Sequence, residues 1–179
     1  MKTIIIAEAG VNHNGSILKA KKLVDIAKKS GADYIKFQLF NPSKLVIPKT
    51  RMAKYQSVNL KKDISQYEML KNLTLSQKQI LIINKYCIKK KIKFLATAFD
   101  IENLKFLLKL GMDFIKIPSG EITNGELLEF VKKRKEKIIL STGASNLKDV
   151  KTAIKYLNRK KDNLILLHCS SSYPAKLNE

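Results

Sequence analysis

Two lysines stand inside apolar runs, Lys36 in Tyr34-Ile35-Lys36-Phe37-Gln38 and Lys116 in Phe114-Ile115-Lys116-Ile117-Pro118. A buried ammonium needs an anion or a carboxylate to offset its desolvation. A single such lysine reads as a stem lying along apolar surface with its head in water. Two of them at equivalent strand positions, with Thr97, Ser119 and Ser141 nearby to donate hydrogen bonds, point instead to a bound phosphate or carboxylate. Other polar side chains gather at the ends of the same kind of run: Glu8, Gln38, Glu121, Thr142, and His168 with Ser170 and Ser171. The chain has neither a Walker-type loop nor a G-x-G-x-x-G string, which argues against a nucleotide as the anion.

The elements that position these residues follow from periodicity. Short β-branched runs predict six strands, at Thr3–Ala7, Tyr34–Leu39, Phe94–Thr97, Phe114–Ile117, Ile138–Ser141 and Leu164–His168. Between them apolar residues recur at helical spacing, as in Ile17, Leu18, Leu23, Val24 and Ala27, then Ile80, Ile83, Tyr86 and Cys87. Continuously apolar strands alternating with amphipathic helices predict an α/β fold with parallel strands covered on both faces. Gly31 and Gly111 fall where a helix must end in a left-handed residue before the next strand. The clusters Lys89-Lys90-Lys91 and Lys132-Lys133-Arg134-Lys135 read as cations at helix C-termini. Residues 41–74, polar and carrying Pro42 and Pro48, read as a long functional loop leading into the helix before the third strand. An open doubly wound sheet and a (β/α)8 barrel both fit this rhythm. Polar residues at the C-terminal end of every strand favour the barrel, whose chemistry lies there.

The composition narrows the partners. The chain has 179 residues, 45% hydrophobic and 28% charged, and a formal charge of +20. Such a charge suggests nucleic acid or an anionic membrane, but thirty-two of the thirty-five basic residues are lysine. The arginines, Arg51, Arg134 and Arg159, are too few for the planar forks that read phosphates and base edges, so a solvated lysine surface is expected and no nucleic-acid partner. No apolar run approaches a membrane span, and Glu8 interrupts the only N-terminal run, so no membrane partner and a cytoplasmic location are expected. Cys87 and Cys169 form no C-x-x-C pair, and with only two histidines a closed zinc site is not expected.

The string Ile6-Ala7-Glu8-Ala9-Gly10-Val11-Asn12-His13-Asn14-Gly15 closely resembles the opening of N-acetylneuraminate (sialic acid) synthases and the related legionaminic acid synthases. Lys36-Phe37-Gln38-Leu39-Phe40, Ala96-Thr97-Ala98-Phe99-Asp100, Lys116-Ile117-Pro118-Ser119-Gly120-Glu121, Leu140-Ser141-Thr142-Gly143 and Leu167-His168-Cys169 with Tyr173-Pro174 resemble the next five motifs, in family order. The resemblance implies a (β/α)8 barrel that condenses phosphoenolpyruvate with an N-acylated amino sugar, releasing phosphate and forming a nine-carbon 2-keto acid. It assigns phosphoenolpyruvate to Lys36, Thr97, Lys116, Ser119, Ser141 and Ser171. Glu8, Gln38 and Glu121 are assigned to the reacting centre, with Glu8 or Glu121 as a candidate general base, and Tyr173 to the sugar. Ser171 stands where some members have asparagine, and Ala98 where many have proline.

The resemblance also implies a divalent metal, manganese or magnesium, whose histidine ligands are expected beyond Glu179; His13 and His168 match other family positions. A barrel of this type has about 250 residues, so residues 1–179 are expected to be its N-terminal part, about six βα units, without the family's C-terminal antifreeze-like domain. The whole enzyme is expected to be a homodimer. N-acetylmannosamine is the first expected sugar and a diacetylated bacillosamine-type sugar the second. A split enzyme and a non-catalytic remnant are the alternative readings, as is another phosphoenolpyruvate synthase making a shorter keto sugar acid.

Overall fold

The computed structural model describes residues 3–52 and 64–171. The chain divides into two compact units, Met1–Met112 and Asp113–Glu179.

The first unit runs β1 (Ile6–Gly10), α1 (Ile17–Lys29), β2 (Tyr34–Leu39), α2 (Pro42–Leu45), α3 (Gln66–Leu73), α4 (Gln77–Lys89), β3 (Lys93–Ala98) and α5 (Ile101–Leu108). β1 pairs with β2 and β2 with β3, both parallel. Phe37, Ile35 and Leu95 of these strands are at most 1% exposed, as are Val24 of α1 and Ile80, Ile83 and Cys87 of α4. The helical stripe read from the sequence is thus the core face, while Leu18 points outward at 74% exposure. Tyr86 of α4 reaches across to α1, where its hydroxyl donates to Asp25, which also pairs with Lys90 at 2.7 Å.

The second unit runs β4 (Phe114–Ile117), a 3-10 turn (Ser119–Glu121), α6 (Gly125–Lys132), β5 (Lys137–Ser141), α7 (Leu147–Leu157), a second 3-10 turn (Lys161–Asn163) and β6 (Leu164–Leu167). β4 pairs with β5 and β5 with β6, again parallel. Ile115, Ile117, Ile138 and Leu140 fill its core with Leu127 and Val131 of α6 and Leu157 of α7. Arg134 and Arg159 are engaged internally: Arg134 pairs with Glu136, and Arg159 donates to the carbonyls of Val131 and Arg134.

In both units the strands neighbour one another in chain order, with one helix between successive strands except for the three described between β2 and β3. A doubly wound sheet reverses that order at its switch point. The fold is therefore α/β of the (β/α)8-barrel type, represented by six βα-type strands.

Helix ends follow local chemistry. Ser65 with Glu68 starts α3, Ser76 with Gln79 starts α4, and Asn146 with Asp149 starts α7, each as a reciprocal capping box. Gly31 and Gly111 adopt φ of 78° and 77° after α1 and α5. The two basic clusters do lie at the C-terminal ends of α4 and α6.

Two expectations are corrected. The first strand is Ile6–Gly10 rather than Thr3–Ala7. Thr3, Ile4 and Ile5 are exposed, and Ile5 is held by its own chain neighbours in space: its N–H donates to Asp33 and its carbonyl accepts from Asp33 and Tyr34. Glu8 accordingly lies within the strand. Residues 41–74, read as one loop, contain α2 and α3; Asn41 caps the former with Pro42 at its first turn, and the Ser65 capping box nucleates the latter. Residues 53–63 of that stretch lie outside the described residues. Among the described residues no helix is long and apolar enough to cross a membrane.

Candidate active site

In the first unit the parallel register sets Glu8 opposite Lys36, and Gln38 opposite Thr97. The Lys36 ammonium forms an ion pair with the Glu8 carboxylate and lies 3.5 Å from Thr97 Oγ1, to which it donates. Its side chain is only 12% exposed, so it does not run out to solvent, whereas that of Glu8 is 51% exposed. Gly10 explains how the carboxylate fits. A bulge interrupts the β1 register between Glu8 and Gly10, and Gly10 has a φ of 49°. A Cβ there would meet Glu8 Oε1 at 3.1 Å and Gln38 Nε2 at 3.6 Å. Glu8, Lys36, Gln38 and Thr97 are thus brought together as one cluster.

His13 follows in the loop after β1. It is fully buried, its Nδ1 accepts the Gly15 N–H at 3.1 Å, and its ring lies 6.1 Å from that of Phe37. Burial holds the imidazole below its ordinary value, against a smaller opposite pull from the Gly10 carbonyl. With Nδ1 accepting, the neutral ring carries its proton on Nε2, which has no hydrogen-bond partner within the described residues.

The second unit carries the other lysine. Lys116 is 8% exposed, and its ammonium donates to Ser141 Oγ at 2.6 Å and to the Ile117 carbonyl at 2.9 Å. Ser119 Oγ accepts the Gly143 N–H at 3.0 Å. Ser171 joins them: a Cβ on Gly143 would meet Ser119 Oγ at 2.9 Å, Ser171 Oγ at 3.1 Å and Cys169 Cβ at 3.3 Å. In both Ser119 and Ser141 the oxygen accepts from a nitrogen, which leaves the hydroxyl hydrogen to be donated onward. Those are the donors an anion requires.

Cys169 reports the same field. Burial, the largest single influence, raises its pKa, but Ser141, the N–H groups of Thr142 and Gly143 and the Lys116 charge together bring it below the ordinary thiol value. Negative charge is therefore favoured beside Lys116. Cys87, buried in α4 of the first unit, is pushed by burial up to about 12.

Glu121 is held by Asn124, whose Nδ2 donates to it at 2.6 Å while its Oδ1 accepts the Leu127 N–H and caps α6. Neither Asn124 nor Gly143 stands out in the sequence as a site residue. Asn124 was detectable only as an asparagine three residues before an apolar helical run, the usual cap signature. His168 is exposed, and Tyr173 lies outside the described residues. Among the described residues no three His, Cys, Asp or Glu side chains gather in a way that would hold a metal ion. The described side chains do not fit the implied metal.

A model of the NeuB family matches residues 23–179. The chain belongs to the NeuB family. It is 45% identical to the N,N'-diacetyllegionaminic acid synthase of Campylobacter jejuni, over 99% of this chain and 54% of that protein. It is also 45% identical to the enzyme of the same name from Legionella pneumophila, over 98% of this chain and 51% of that protein. The chain thus spans about half the length of these curated NeuB relatives. Among solved structures, a sialic acid synthetase from Leptospira borgpetersenii superposes with a TM-score of 0.81 at 34% identity, covering 98% of this chain and 57% of that one. Both lysine-bearing clusters fall on the strand motifs by which the sequence resembles this family.

Proposed function

We propose that this chain is the N-terminal, phosphoenolpyruvate-binding portion of a NeuB-type synthase that condenses phosphoenolpyruvate with an N-acylated amino sugar and water. The observation that carries the reading is the second-unit cluster: a buried lysine backed onto Ser141, beside a Ser119 hydroxyl whose oxygen is already occupied by an amide. The Ser119 hydroxyl is set to donate and the Lys116 ammonium is held beside it through Ser141, so the cluster offers a ready electrostatic cradle for phosphate or carboxylate.

In the proposed reaction C3 of phosphoenolpyruvate attacks the sugar aldehyde carbon, forming the new C–C bond while the carbonyl oxygen takes up a proton. Water adds to the resulting cationic C2 and loses one proton to give a tetrahedral C2 bearing hydroxyl and phosphate; the hydroxyl then gives up its own proton as the C2–O bond to phosphate breaks, and inorganic phosphate leaves from the 2-keto acid. Lys36, Thr97, Lys116, Ser119, Ser141 and Ser171 are assigned to the anionic groups of phosphoenolpyruvate. Glu8 and Gln38 are assigned to the reacting carbons, and Tyr173 to the sugar. Glu8, half exposed and ion-paired, and Glu121, tethered by Asn124, are the two carboxylates available to take a proton.

The sugar is proposed to be a diacetylated bacillosamine-type sugar giving a legionaminate, in preference to N-acetylmannosamine. The 45% identity to two N,N'-diacetyllegionaminic acid synthases supports this order. The test is phosphate release from phosphoenolpyruvate with manganese and either sugar, on the 179-residue chain and on the same chain fused to the C-terminal half of the Campylobacter jejuni relative. Release by the fusion with the diacetylated sugar is the expected outcome. Release with N-acetylmannosamine alone would reverse the sugar assignment, and failure of the chain to bind phosphoenolpyruvate would remove the cradle.

A further inference from the structure

We infer that Gly143 is a positioning residue of the second-unit cradle: its amide fixes the Ser119 hydroxyl as a donor, and its missing side chain leaves the space into which Ser119 and Ser171 turn. The inference rests on the phosphoenolpyruvate reading of that cluster and adds to it a residue that touches no substrate.

The Gly143 N–H donates to Ser119 Oγ at 3.0 Å. A serine oxygen that accepts from a fixed amide keeps its own hydrogen for another acceptor. The amide itself is held in place by its surroundings. The Gly143 carbonyl accepts from Ser145 Oγ at 2.8 Å, and Thr142 donates to the Leu167 carbonyl through both its N–H, at 3.2 Å, and its hydroxyl, at 2.8 Å. The turn after β5 is therefore tied to β6 on one side and to the turn after β4 on the other.

Backbone geometry does not demand glycine here. Gly143 is not among the residues with positive φ, which in the glycines are confined to Gly10, Gly15, Gly31 and Gly111. Space demands it. A Cβ would stand 2.9 Å from Ser119 Oγ, closer than Cβ atoms are found in proteins, and 3.1 Å from Ser171 Oγ. Gly120 and Gly125, by contrast, have nothing within 4 Å of such an atom. Alanine at 143 would displace two hydroxyls assigned to the ligand while leaving the main chain in an ordinary conformation, so the cost falls on binding rather than on folding.

The test is calorimetric titration of phosphoenolpyruvate into the 179-residue chain and its Gly143→Ala, Ser119→Ala and doubly substituted forms, with unfolding midpoints taken alongside. Ser119→Ala is expected to weaken binding about 10- to 100-fold, the effect of one hydrogen bond to a charged group, and Gly143→Ala, which displaces Ser171 as well, at least as much. The double form is expected to be no weaker than the weaker single, because Gly143→Ala already displaces the donor that Ser119→Ala removes, and the midpoints are expected to stay close to the parent's. Parent-like affinity in Gly143→Ala, or losses that multiply in the double form, would overturn the inference while leaving the cradle in place. A parent chain that does not bind phosphoenolpyruvate would overturn the cradle reading itself, and the inference with it. A second readout leaves Gly143 intact: its amide resonance is expected to shift on adding phosphoenolpyruvate to the parent and to stay put in Ser119→Ala, and an equal shift in both would overturn the coupling.

Discussion

The two units each carry one lysine within the apolar run of a strand, yet they set it differently. In the first, Lys36 meets the carboxylate of Glu8, a half-exposed side chain, and reaches Thr97 Oγ1 only at 3.5 Å. In the second, Lys116 donates at 2.6 Å to a serine hydroxyl and at 2.9 Å to a main-chain carbonyl. An ammonium that leans on hydroxyls passes polarisation on to whatever those hydroxyls donate to. An ammonium in an ion pair must share its charge between that carboxylate and any incoming anion. On the proposed phosphoenolpyruvate reading, the tighter anion grip is expected in the second unit and a more adjustable role, coupled to Glu8, in the first.

The largest expected contrast is in thiol chemistry. At neutral pH Cys169, lowered by the donors around it, is expected to alkylate well ahead of Cys87, whose buried thiol stays protonated. Iodoacetamide labelling followed by peptide mass analysis reads this, and phosphoenolpyruvate should slow the reaction at Cys169. Comparable rates at the two cysteines would remove the evidence for an anion-favouring field beside Lys116. Next in size, Lys116→Met should weaken phosphoenolpyruvate binding by about 100-fold and Lys36→Met by about 10-fold. Equal losses would erase the distinction between the units.

Glu8→Gln sharpens the comparison from the other side. Relieved of its partner, Lys36 should attract the anion somewhat better, by about threefold, a gain within the range of a half-exposed ion pair. A loss of affinity would mean instead that Glu8 organises the cluster. The smallest effect concerns His13, which lies in the first unit alone. Its folded pKa is below the ordinary 6.5, so the unfolded chain binds more protons as the pH falls past about 6.5. Stability should therefore be complete above that pH and decline as the pH drops toward the folded value. His13→Gln should flatten the decline in denaturant melts at pH 5 to 7, and an unchanged slope would exclude the histidine as its source.

Much of this arrangement was legible in the residues. Lys36 and Lys116 announced themselves because a charge within an apolar strand has few physical explanations, and the strand runs around them were read nearly to the residue. The start of β1 was misplaced because Thr3-Ile4-Ile5 has the composition of a strand but not its burial. α3 went unread because Gln66–Leu73 is short and polar, although Ser65 and Glu68 spelled out its capping box. Gly143 is beyond a reading by type and spacing, and Asn124 is legible only as a helix cap and not as the partner of Glu121. A glycine after a strand looks like any turn, and the partners that give these two meaning, Ser119 and Glu121, come from the fold or from a single side-chain hydrogen bond.

Strand order bears on how the molecule is made as well as on what it binds. Within each unit every strand pairs with the next one in the chain; β2–β3 closes over residues 40–92, but β1–β2, β4–β5 and β5–β6 each close over little more than a single helical connection. Contacts of such short sequence separation form early and fast. A chain leaving the ribosome from its N-terminus would have β1, β2 and β3 available to one another before Lys116 had been synthesised, so the Glu8–Lys36 pair is expected to assemble co-translationally, ahead of the cradle around Lys116.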